Sequence, residues 1–152
     1  MNSDTQKQEQ AIKEKLIEKN KEILKAEEET IEGYIMRHEL KMIKTPSGLR
    51  YHKMIESKGD SIKNGDKVKA AYSVYLLDGT HCYSSDSTGL LTFKVGEYDV
   101  PNGFHEIALL LKVGEKAQLI IPSHLAYGIT GDNNKIPYAS ALNCFIEIKE
   151  RN

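Results

Sequence analysis

The chain reads as an α+β protein in which a curved antiparallel β-sheet wraps one short helix, preceded by a long N-terminal helical extension. Three observations carry that expectation. Residues 1–44 hold no proline, a single glycine (Gly33), and Lys and Glu interleaved with apolar residues at mostly helical spacing. From Leu49 onward, short runs rich in Val, Ile, Leu and Tyr are punctuated by turn signals such as Asn64-Gly65 and Asp78-Gly79. One apolar helical segment, about residues 104–112, interrupts those strands.

In the extension, nine basic and ten acidic residues nearly cancel, and Ile12, Leu16, Ile23, Leu24, Ile31 and Ile35 form a thin apolar stripe behind the candidate caps Ser3 and Asp4. The pattern predicts a long, weakly amphipathic helix. Three roles stay open for it: a solvated helix docking one stripe on the domain, a homodimerisation arm, or a flexible spacer. Gly33 and Glu27-Glu28-Glu29 weaken any seam, so no coiled coil is assigned. Thr45-Pro46-Ser47-Gly48 marks a turn and sets the expected division into a helical extension, 1–44, and a globular domain, 45–152.

Within that domain, strands are expected at residues 49–55, 68–77, 91–95, 117–121 and 142–148. Val113-Gly114 is expected to end the helix with glycine at the C′ position, where a positive φ is tolerated. Pro122 stops the fourth of these strands, and Leu125-Ala126-Tyr127-Gly128 follows as a tight aromatic turn.

At 152 residues and 39% hydrophobic, the chain has room for one modest core. Its net charge of −1, with both signs spread throughout, leaves no electrostatic footprint for nucleic acid or an anionic membrane surface. No apolar run is long enough to span a bilayer, and the first six residues do not read as a signal peptide. As given, the chain reads as soluble, with an upstream export signal left open. The five histidines are scattered, and neither a catalytic triad nor a zinc constellation emerges from them.

The order of elements from Phe104 to Tyr138, helix, strand, Pro break and Ala126-Tyr127-Gly128 turn, resembles the FKBP-type peptidyl-prolyl isomerases. The resemblance covers roughly residues 49–149. It takes in the long strand through Tyr72 to Asp78-Gly79, the Ser84-Ser85 pair, Phe93-Lys94-Val95-Gly96, Val100-Pro101-Asn102-Gly103-Phe104, Ile136-Pro137 and the closing strand. It implies an isomerase acting on X-Pro bonds in proline-containing segments of client proteins, without cofactor or metal. Rotation about an X-Pro bond meets a barrier of about 18–20 kcal/mol because the twisted amide loses its resonance, and a dry aromatic bowl suits a carbonyl that has become less polar.

By that resemblance, Tyr72, Phe93, Phe104 and Tyr127 fall on the catalytic pocket aromatics, with Phe104 in place of the usual Trp floor and the Tyr127 hydroxyl as donor to a substrate carbonyl. Cys82, Tyr83, Val100, Pro101, Ile136 and Cys144 fall on substrate-binding positions. Each is open to a plainer reading as ordinary core packing.

Three departures from the family pattern stand out. Cys82-Tyr83 replaces an aromatic followed by the Asp that commonly polarises the pocket. Pro101 replaces an Ile whose backbone N–H anchors the bound peptide or macrolide, although proline also suits the first turn of a helix. Cys144 replaces a closing-strand aromatic. The two cysteines read either as small hydrophobes widening the bowl or as a disulfide across it in an oxidising compartment; a metal site is the weakest of the readings.

Within the family, the Glu- and Lys-rich lead-in, the Glu27-Glu28-Glu29 stretch, the Tyr-Ser pair and the Pro122 to Gly128 turn are similar to the gliding-motility-associated FKBP-like lipoproteins of bacteria. That likeness implies a periplasmic domain held to a membrane only through a lipid anchor upstream of the sequence given; a cytoplasmic protein is the alternative. The competing functional readings are a proline-peptide binding or chaperone-like module with little turnover, and a structural subunit that assembles through its helix.

Overall fold

The computed structural model describes residues 3–97 and 99–152, so the first two residues of the expected extension lie outside the described residues. Helix α1 runs from Ser3 to Arg37. Its buried residues, Glu27, Ile31 and Tyr34, all lie in its C-terminal third. Ile31 is fully buried and Tyr34 nearly so, in a cluster with Ile120 and Ala141, whereas Ile12 and Leu16 are both 58% exposed. The apolar stripe therefore docks where the sheet lies beneath it and projects into solvent elsewhere. Burying Ile31 and Tyr34 is worth roughly 1.5–3 kcal/mol each. An ion-pair cluster adds to the docking: Arg50, 2% exposed, donates to Glu28 and to Glu32 (2.6 Å) on α1 and to the carbonyl of Gly48 (2.8 Å).

All strand pairs of the sheet are antiparallel. Strands β1 (Ile43–Lys44), β2 (Arg50–Ile55), β3 (Lys67–Leu76), β4 (His81–Ser84), β5 (Leu91–Lys94), β6 (Lys116–Ile121) and β7 (Leu142–Arg151) lie in the order β1-β2-β6-β7-β3-β4, with β5 also pairing β3. The turn expected at Thr45 to Gly48 closes the β1–β2 hairpin, with Gly48 at φ +99. The five expected strands are present with their ends moved by up to three residues. The two-residue β1 carries no periodicity and leaves no sequence signal.

Helix α3 (Asn102–Leu110) packs on the sheet through Phe104, Ile107 and Ala108. It begins two residues earlier than expected because Pro101, at φ −54, presets the entry and its carbonyl accepts the N–H of Phe104 at 3.0 Å. Gly103 is a packing requirement: a Cβ there would lie 2.8 Å from Ile121 and 3.2 Å from the carbonyl of Leu125. The expected helix stop at Gly114 is corrected. The helix ends at Leu110, Leu111 is extended, and Gly114 (φ +92) serves the turn into β6, its N–H bonded to the carbonyl of Ile148 at 2.8 Å. A one-turn helix α2 (Ser85–Thr88), unforeseen in the sequence, is capped by the Ser84 hydroxyl, which accepts the N–H of Asp86 at 3.1 Å.

Candidate active site

A cavity of about 340 Å³ opens between β3, β4, β5, the start of α3 and the turn after β6. Its walls come from Tyr72, Val74, Tyr83, Leu91, Asp99, Val100, Pro101, Phe104 and Tyr127. Strand period explains the β3 wall, since Tyr72 and Val74 point to the same face. Phe104, 3% exposed, forms the floor, and the Tyr72 ring meets it edge-on with centroids 6.5 Å apart.

The structure brings together Tyr72, Tyr83, Val100, Pro101, Phe104 and Tyr127 of the residues singled out from the sequence. It sets Phe93, Cys82, Ile136 and Cys144 apart from that lining, in the core and at most 2% exposed. Phe93 lies farther along β5, its ring edge-on to His105 at 5.3 Å, and Leu91, on the same face of the strand, lines the cavity instead. Cys144 sits mid-strand on β7 between Val74 and Leu119. Ile136 turns inward because its N–H and carbonyl are both bonded to Asp132, at 2.9 and 3.1 Å. The disulfide considered from the sequence is not formed: Cys82 and Cys144 are free buried thiols. Among the described residues, no group of three or more His, Cys, Asp or Glu could hold a metal ion.

The polar groups of the bowl are not equivalent. Thr88 donates its hydroxyl proton to the carbonyl of Ser84 (3.1 Å), so the Tyr72 hydroxyl donates to Thr88 Oγ1 (2.8 Å) and is occupied. Tyr127 has no hydroxyl partner among the described residues, and burial, with the negative charge of Asp132 nearby, pushes its phenol up to about 12. It therefore stays protonated, a donor facing an apolar bowl.

Asp99, on the rim, accepts the N–H of Lys94 at 3.0 Å and lies 3.3 Å from His105 Nε2. The Lys94 N–H is the chief cause that holds its carboxyl below the usual range. His105 Nδ1 accepts the N–H of Gly96 at 3.1 Å, which leaves the ring proton on Nε2, toward Asp99.

Sequence reasoning missed Val74, Leu91, Asp99 and Asp132. The first two were readable from strand alternation alongside Tyr72 and Phe93. Asp132 was not readable, because its link to Tyr83 joins residues 49 positions apart.

Comparison with known proteins agrees with this geometry. The sequence signature described as FKBP-type peptidyl-prolyl cis-trans isomerase matches residues 58–149. FK506-binding protein 4 of Dictyostelium discoideum is 36% identical over 107 residues, 70% of this chain and 29% of that protein. The probable FKBP-type peptidyl-prolyl cis-trans isomerase FkpA of Neisseria meningitidis serogroup B is 36% identical over 125 residues, 80% of this chain and 45% of that one. The chain thus spans less than half the length of these two curated relatives. Among solved structures, FkpA from Escherichia coli superposes with a TM-score of 0.74 at 27% identity, covering 99% of this chain and 71% of that one. AtFKBP13 gives 0.70 at 31% identity, covering 74% and 99%.

Proposed function

The chain belongs to the FKBP-type peptidyl-prolyl cis-trans isomerase family, and we propose that it accelerates cis–trans rotation of X-Pro bonds in client proteins, assisting their folding. The observation that carries the proposal is the bowl itself: an edge-on Tyr72–Phe104 pair and a protonated Tyr127 hydroxyl with no partner among the described residues. A proline ring seated on Phe104 would leave water, and the preceding carbonyl, rotated out of conjugation, would meet an apolar wall and one phenol donor. Such a site favours the twisted state over the planar one with no covalent step. Proline-exchange measurements on an X-Pro peptide test this; acceleration is expected, and exchange at the uncatalysed rate would remove the enzyme reading.

One observation favours a second reading, a proline-peptide binding or chaperone-like module. Pro101 lines the bowl without an N–H, and Tyr83 stands where a carboxylate is usual in the family. Retained affinity for the peptide without acceleration would select it.

The proposal extends to setting and assembly. The likeness to bacterial lipoproteins of the family supports a periplasmic domain held by an upstream lipid anchor, with 1–44 as an extension of the isomerase domain 45–152. The exposed Ile12, Leu16 and Ile17 on the projecting part of α1 support a homodimer through that helix, which the solution mass of the full chain tests.

A further inference from the structure

The tie between α1 and the bowl runs through one buried carboxylate. Glu27, 8% exposed, accepts the N–H of Ser123 at its Oε1 and the Ser123 hydroxyl at its Oε2, both at 2.5 Å. Ser123, 1% exposed, opens the 3-10 turn Ser123–Leu125 that follows β6. Its carbonyl in turn accepts the N–H of Ala126 (2.9 Å) and of Gly128 (2.7 Å). Tyr127 therefore sits between two residues fastened to the same oxygen, and every polar group of the residue carrying that oxygen is engaged. Ser123 links two structures: a helix laid on the outside of the sheet, and the turn that aims the tyrosine into the bowl.

We propose that Glu27 is a positioning residue for the isomerase reaction, acting on Tyr127 through Ser123, so that α1 is part of the active-site scaffold. The proposal rests on the isomerase reading above. Its physical basis is the cost of an orphaned buried donor. Without the Glu27 carboxylate, the N–H and hydroxyl of Ser123, a residue 1% exposed, lose both of their partners, and the turn must shift to replace them. Because Ala126 and Gly128 hang on the Ser123 carbonyl, Tyr127 moves with the turn.

The test uses the full chain with Glu27→Ala, Glu27→Gln, Ser123→Ala and, as a control for helix docking alone, Glu32→Gln. Two readouts are taken on each: Tyr127 ring resonances, assigned through Tyr127→Phe, and the steady-state parameters of X-Pro exchange. Glu27→Ala is expected to shift the Tyr127 ring signals and lower kcat about three- to tenfold, with KM changed less than twofold. Glu27→Gln keeps an acceptor for the Ser123 N–H and is expected to recover most of both. Glu32→Gln is expected to leave both as in wild type.

A folded Glu27→Ala with wild-type ring signals and kcat overturns the proposal, as does an equal loss in Glu32→Gln. Should Glu27→Ala fail to fold, Ser123→Ala decides, since it removes one of the two bonds; an unmoved Tyr127 ring there sinks the idea. Should the wild type accelerate no exchange, the isomerase reading falls by itself. The ring signals then still decide whether Glu27 positions Tyr127.

Discussion

The Tyr83 hydroxyl donates to the Asp132 carboxylate, joining β4 to the loop that follows Tyr127. The other oxygen of Asp132 accepts the N–H groups of Asn134 and Ile136, each at 2.9 Å, and Lys135 Nζ lies 5.3 Å from the centre of the Tyr83 ring. A carboxylate from the loop after Tyr127 is thus bonded to Tyr83, a residue of the bowl lining.

That pair makes a pH prediction. Burial opposes ionisation of Asp132, but the Tyr83 hydroxyl and the two N–H groups outweigh it and hold the carboxyl below the usual range. A depressed folded-state pKa means a contribution that is full above the unfolded value of about 4 and lost as pH falls through the lower, folded value. Tyr83→Phe is expected to cost about 1 kcal/mol at pH 7. In urea denaturation the difference from wild type should shrink as the pH is lowered below about 4; a gap independent of pH would contradict the role given to the pair.

Tyr127→Phe keeps the ring and removes a bowl hydroxyl that has no partner among the described residues. A net hydrogen bond of about 0.5–1.5 kcal/mol corresponds to a loss of roughly two- to thirteenfold in kcat/KM for X-Pro exchange. The melting temperature should not fall, because the hydroxyl has no partner among the described residues to lose.

Macrolide affinity follows from Pro101. It lines the bowl at the entry to α3 and has no N–H to give a ligand carbonyl. An acceptor left unpaired in such a site costs about 1–3 kcal/mol, so titration calorimetry with an FKBP-directed macrolide should give binding weaker by roughly five- to 150-fold than in a relative with isoleucine there. Pro101→Ile is expected to recover part of the loss. Nanomolar binding by the wild type would show that this anchor is dispensable.

The Arg50 cluster predicts an asymmetry. Glu28 and Glu32 are 42% and 56% exposed, whereas Arg50 is 2% exposed. Arg50→Met leaves two carboxylates that water can reach, and should cost about 1–2 kcal/mol, largely lost packing. The double change Glu28→Gln with Glu32→Gln leaves a buried guanidinium without a counter-charge and should cost more, about 3–5 kcal/mol. Denaturation of the two variants compares them directly; the reverse order would contradict the burial argument.

Cys82 and Cys144 are expected to behave as inert core residues. Burial pushes both thiols up, Cys144 the more strongly, so the reactive thiolate is scarce. Thiol labelling should be slow in the folded protein and should find two thiols per chain after denaturation without reductant. A single disulfide and no free thiol would overturn this.

Local signals determined much of this protein. Turn residues, strand alternation and one apolar helical segment placed the sheet and α3, and the order of short motifs around Ala126-Tyr127-Gly128 pointed to the family and to Tyr72, Phe104 and Tyr127 on the bowl. Each motif is legible because it depends on neighbouring residues, and the order of the motifs is read directly along the chain. Tertiary structure decided the rest. It put Leu91 on the lining and Phe93, farther along the same face of β5, in the core against His105, because what packs over each position differs along a strand. It also decided that α1 docks through Ile31 and Tyr34 and leaves Ile12 and Leu16 in water, since an apolar stripe shows where a helix could bury surface but not where a sheet lies beneath it. Glu27 and Ser123, 96 residues apart, carry no mark in the sequence of their meeting: a glutamate on a charged helix looks solvated until the fold closes over it.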